Sequence, residues 1–198
     1  MRVARQVLML LTAAQACAQP ALAQSRVATQ DLGVTGSAPA VCSLQNGQLQ
    51  TGGLINITGL DGDVLRIQNL TDSQTLAARA ASASIKFFAM CNFPHQVRIE
   101  SQNNGLWPTD SRQSSSVPGF TTAIPYRASL TWGPAAGALD ANANVRRLIE
   151  RRVAVDQPVV GEVQMRIEIA SGASNTVVNA PVVAGTYGDT VRIYLEPR

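Results

Sequence analysis

Residues 184–198 read AGTYGDTVRIYLEPR, and the fold turns on how this stretch is understood. From Tyr187 the odd positions carry Tyr187, Val191, Ile193 and Leu195, and Arg192, Tyr194 and Glu196 fall between the last three. A period of two with one apolar side is the signature of a half-buried β-strand. The sequence given ends three residues after Leu195, so the strand is expected to be the last of its sheet. An edge strand leaves a row of backbone N–H and C=O groups without partners unless something lies beside it. The reading therefore asks what pairs with this edge.

Upstream the same periodicity recurs. SIKFFAMC at 84–91 places Ile85, Phe87, Ala89 and Cys91 on one face, and HQVRIES at 95–101 alternates Val97 and Ile99 with polar neighbours. The short connection Asn92-Phe93-Pro94-His95 predicts a hairpin between them. IPYRASLTW at 124–132 and EVQMRIEIA at 162–170 are two more alternating runs. GLINIT and DVLRIQNL, around 53–58 and 63–70, read as strands, whereas 71–84 reads either as a short helix capped by Thr71 or Asp72 or as an irregular loop. Residues 102–120 and 133–144 read as loops. No window carries a 3.6-residue apolar stripe. Several strands at short spacing, separated by turn residues, predict an all-β antiparallel sandwich.

The first residues read differently. MRVARQ is basic, VLMLLTAAQACA is apolar, and Ala21-Leu22-Ala23 supplies small residues, the order expected of a secretory signal peptide spanning 1–23. Cleavage is expected after Ala23, with Ala18 the alternative; a lipid on Cys17 is the disfavoured reading. Removing Arg2 and Arg5 lowers the formal charge of +3 to near +1, so the overall basicity is no sign of nucleic acid. The arginines of VRRLIERRV at 145–153 read as lining a solvated strand or loop, with contact to an acidic surface the alternative. Cys42 and Cys91 would remain, an even number in an exported chain, which predicts one disulfide. Closing that loop stabilises the fold by roughly 4 kcal/mol in the chain-entropy account.

Groups that carry chemistry are sparse. His95, the single histidine, reads as a turn or rim residue. Asp61 and Asp63 flank Gly62 as a polar turn rather than a calcium loop, which needs more oxygen ligands. Two cysteines and one histidine do not fill a zinc site, and no nucleophile elbow is present. No cofactor or metal is expected and an enzyme is disfavoured. Trp132 reads as core, and Trp107, in a long loop, as the better candidate for a carbohydrate-stacking surface.

The motifs together resemble the spore coat protein U domain family, which includes the exported subunits of archaic chaperone–usher pili. APAVCSL resembles the family's first-strand cysteine segment and SIKFFAMCNFPHQVRIES its second-cysteine segment. IPYRASLTWG resembles its central tyrosine-containing strand, and Gly185, Tyr187 and Asp189 match its terminal Gly-x-Tyr-x-Asp motif. The resemblance covers roughly residues 30–198; the segments 102–120 and 133–161 match it least. It implies an immunoglobulin-like sandwich at 37–198 that lacks its last strand. It also implies a donor-strand extension at 24–36 offering Val27, Leu32 and Val34, and an acceptor groove edged by Tyr187, Val191, Ile193 and Leu195. The partners implied are a periplasmic chaperone, an outer-membrane usher and like subunits, in a pilus or fimbria with a role in adhesion or biofilm formation. The competing expectation is a stand-alone exported module, self-complemented by its own first strand, that binds a ligand such as carbohydrate.

Overall fold

The computed structural model describes residues 29–110 and 117–198. The expected signal peptide and Val27 of the extension lie outside the described residues. The chain divides into two units, Met1–Ser37 and Ala38–Arg198. In the first, the described residues 29–37 carry no strand, and Leu32 and Val34 are 85% and 88% exposed.

The second unit is all-β, with no helix among the described residues. In chain order its strands are β1 (Cys42–Leu44), β2 (Gln48–Leu49), β3 (Ile57–Asp61), β4 (Val64–Ile67), β5 (Ala81–Cys91), β6 (His95–Ser101) and β7 (Trp107–Pro108). They continue with β8 (Tyr126–Trp132), β9 (Ala135–Ala141), β10 (Ile149–Val155), β11 (Val159–Ile169), β12 (Tyr187–Gly188) and β13 (Val191–Pro197). The larger sheet runs β1-β5-β11-β8-β9, with β2 also on β5, and the smaller runs β10-β6-β13. All their pairings are antiparallel. β3–β4 and β12–β7 form separate two-stranded ladders.

The two sheets bury their apolar faces in one core, as in a β-sandwich. Ala89, Leu130, Trp132, Val163 and Met165 of the larger sheet share it with Val97 and Ile99 of the smaller. The alternation expected for 84–91, 95–101, 124–132 and 162–170 is realised, because each run presents its branched or aromatic residues on the buried side. The Cys42–Cys91 disulfide is formed, joining cross-strand partners of β1 and β5.

Several expectations are corrected. β5 and β6 are not a hairpin: they belong to different sheets, and Asn92–Pro94 is an arch between them. Both edges of β5 are occupied, by β1 and β2 on one side and β11 on the other, so β6 has no place beside it. Asn92 fixes the corner by accepting from the Val41 N–H (2.8 Å) and donating to the Pro39 carbonyl (2.8 Å). The loop read at 133–144 contains β9, which forms a hairpin with β8 through Gly133, whose φ is +53°. Residues 71–80 hold no helix. Asp72 accepts from the N–H groups of Gln74 and Thr75 at 3.0 Å, which holds its carboxyl below the ordinary range, but one turn later Leu76 adopts a φ of +58° and the chain leaves the helical course. The strand read at 53–58 lies instead at β3, and Asp61-Gly62-Asp63 is the β3–β4 turn. His95 is a core residue, not a rim residue. It is fully buried, its ring lies 4.9 Å from that of Trp132, and its Nδ1 bonds the Phe93 carbonyl at 2.8 Å.

Candidate functional site

The C-terminal strand supplies the site. β13 pairs with β6 from Val191↔Ser101 to Pro197↔His95, and among the described strands it pairs with nothing else. Beyond its free edge lies an apolar groove of about 760 Å³. Its floor is the inner face of the larger sheet, including Ile85 and Phe87 of β5 and Met165 and Ile167 of β11. Val191 and Ile193 form one bank, and Leu60 and Val64 of the β3–β4 hairpin form part of the other. Leu44 and Gly47 flank it, and Gly47 sits so close to Phe87 and Ile85 that a Cβ there would come within 2.6 and 2.8 Å of them.

The residues expected at the groove edge divide. Val191 and Ile193 line the groove. Leu195 stands opposite Val97 and packs against the common core. Tyr187 is not on β13: it belongs to β12, pairs with Pro108, and donates its hydroxyl to the Val183 carbonyl at 2.8 Å. Burial raises its phenol pKa. The alternation that ran from Tyr187 to Leu195 is broken at Asp189 and Thr190, where the chain passes from one ladder to the next.

Asp189 is the fixed point of that passage. One carboxylate oxygen accepts from the hydroxyls of Ser101 (2.6 Å) and Tyr126 (2.7 Å), and the other from the N–H groups of Asn103 (2.9 Å) and Thr190 (2.7 Å). These bonds tie the start of β13 to β6, to the loop after it and to β8. Burial pushes the Tyr126 hydroxyl far above its ordinary range, with the Asp189 charge adding to the rise and the Ser101 bond opposing it. The sequence marks Asp189 and Tyr126 as motif residues, but their pairing, and the part of Ser101, has no local signal.

On the outer face, Arg98 of β6 reaches across to β13. Its guanidinium donates to Glu196 at 2.6 and 2.8 Å and to Glu100 at 2.6 Å, and lies 3.8 Å over the ring of Tyr194. The Arg98 bond holds the Glu196 carboxyl below the ordinary carboxylate range. β13 is thus anchored at its start, its outer face and its inner edge. The disulfide in turn fastens β1 to β5, the strand that carries Ile85 and Phe87 of the groove floor.

Other candidates contribute little to this site. Trp132 is buried as expected, while Trp107 is half-buried in β7 with its indole N–H enclosed. Arg151 and Arg152 of β10 are both exposed, and Arg152 pairs with Glu150 at 2.9 Å. Among the described residues no group of three or more His, Cys, Asp or Glu side chains is placed to hold a metal, and no helix is long and apolar enough to cross a membrane. A scan against protein-family models finds no match, and a search of the curated proteins finds none.

Proposed function

We propose that this chain is a structural subunit of a secreted surface fibre, assembled along the chaperone–usher route by exchange of strands between molecules. In this reading the sandwich is immunoglobulin-like and unfinished. The missing strand belongs beside β13, where a second polypeptide adds its backbone to a free sheet edge. The observation that carries the reading is the apolar groove along that edge, floored by Ile85, Phe87, Met165 and Ile167. The occupant in the fibre is the extension 24–36 of the next copy. Its Leu32 and Val34 are exposed, and burying such side chains is worth roughly 1.5–3 kcal/mol each. A periplasmic chaperone fills the groove before the usher hands the subunit on, and the Cys42–Cys91 disulfide fits passage through an oxidising compartment. In this reading the chain has no catalytic task, and its role in adhesion or biofilm formation follows from the fibre.

The test is removal of residues 24–36 in the cell that exports the protein. Fibres disappear, while a chaperone complex still forms, because the groove is untouched. Fibres that persist without the extension would overturn the donor assignment. A stable full-length monomer in which the extension fills its own groove would establish the self-complemented module instead.

A further inference from the structure

The second bank of the groove is built unlike the first. β13 is one strand of a sheet, but β3–β4 pair only with each other. Backbone bonds tether the segment on either side of this hairpin. Ile55 exchanges both backbone hydrogen bonds with Ser82 (3.0 and 2.9 Å), and Arg79 N–H donates to the Leu70 carbonyl at 2.9 Å. Between those tethers the base of the hairpin is closed by two asparagines. The Asn56 side-chain amide donates to the Asn69 carbonyl at 2.6 Å, and its oxygen accepts from the Asn69 N–H at 2.9 Å. Asn56 also holds a φ of +54°, a left-handed conformation that non-glycine residues rarely adopt. At the far end Gly62 makes the turn with a φ of +59°, and Asp63 and Val64 there face the groove and are exposed.

A two-stranded ribbon with few tertiary bonds is marginal alone and opens more easily than the sheets around it. We infer that the β3–β4 hairpin is a hinged wall, turning at the Asn56–Asn69 clamp, that folds toward β13 when the groove is vacant and swings out when a strand enters. The inference rests on the proposed strand-accepting role of the groove and adds to it a device that limits the apolar surface of a free subunit. Ile57 and Ile67, near the hinge, stay packed against the core, while Leu60 and Val64, near the tip, change their contacts.

The experiment places spin labels on the full mature chain through Asp63→Cys and Thr190→Cys, two exposed positions on opposite banks, with the native disulfide intact. Distances are measured by pulsed electron resonance with and without a synthetic peptide of residues 24–36, whose binding is followed separately by fluorescence anisotropy. The expected result is two distance populations in the free chain, with the longer one alone remaining once the peptide is bound. Asn56→Gly, which frees the backbone and removes the clamp, raises the longer population at least twofold without peptide. On the unsubstituted chain, amide exchange across 57–67 slows about tenfold on peptide binding while that of β8 is unchanged. A single population in the free chain overturns the hinge, as does a distribution that bound peptide leaves unmoved. Two populations that respond to Asn56→Gly, in a chain that does not bind the peptide, support the hinge and instead overturn the donor reading of 24–36.

Discussion

The two flanks of the sandwich differ in how they close. On one, β9 of the larger sheet meets β10 of the smaller, and Gly137 lies so near Val153 that there is no room for a Cβ between them. On the other, β13 is paired only with β6 among the described strands, and the groove lies between its start and the β3–β4 hairpin. The sheets share one core, so the difference is not one of hydrophobicity. It is a difference of backbone: the closed flank replaces side chains by glycine and alanine and brings the sheets together, while the open flank keeps large apolar side chains around an unfilled space. Protein interiors are close-packed, so this unfilled space is the feature that the proposed donor strand would occupy.

Substitutions can break or sharpen this contrast. The largest effect is expected from the disulfide: replacing Cys42 and Cys91 by alanine costs roughly 4 kcal/mol in urea unfolding, and the unreduced, unfolded native chain shows no free thiol in a titration. Next comes a matched pair. Leu130→Ala, deep in the filled core, costs about 2–5 kcal/mol, whereas Ile193→Ala, on the groove bank, costs about 1 kcal/mol or less in the isolated chain and acts mainly on strand capture. Equal losses of monomer stability at the two positions would mean that the groove is already filled. Asp189→Asn should cost about 1–3 kcal/mol by leaving the hydroxyls of Ser101 and Tyr126 poorly matched, and should lower the affinity for the 24–36 peptide because β13 loses its fixed start.

The smallest effects concern pH. Tyr126 has a folded pKa above its unfolded value of about 10, so its contribution is complete below that pH and is lost as pH rises beyond it. Glu196 has the opposite sign: its folded pKa is depressed, so its contribution is present above about 4.3 and is lost as the pH falls through the folded pKa. Unfolding titrations of Tyr126→Phe and Glu196→Gln should each flatten one end of the stability profile and leave the other unchanged.

Much of the larger sheet was legible in the sequence, and the reason is chemical. β5, β8 and β11 alternate branched, aromatic or long side chains with polar ones, a pattern that survives any tertiary context. β9 alternates as well, but mostly in Ala and Gly, whose small side chains and weak strand preference read as a loop; only the facing Val153 explains the glycine at 137. The arch at Asn92–Pro94 was hidden because a short connection has the same local sequence whether it joins neighbours in one sheet or crosses between two. His95 looked like a turn residue for the same reason, since its burial comes from Trp132, 37 positions away. Val191 and Ile193 were legible as the apolar side of a strand from their periodicity, and both line the groove. The Asn56–Asn69 clamp was not, because two separated asparagines carry no signal until the hairpin brings them together.

The central claim is that β13 receives a strand from another molecule, and the most direct measurement is a photo-crosslinker placed at Ile193 in the exporting cell, with the captured peptide identified by mass spectrometry. Attachment to residues of 24–36 from a different copy, in the fibre fraction, is the result expected. Attachment only within the same polypeptide, or only to its own 24–36 segment in a monomer, would contradict the account.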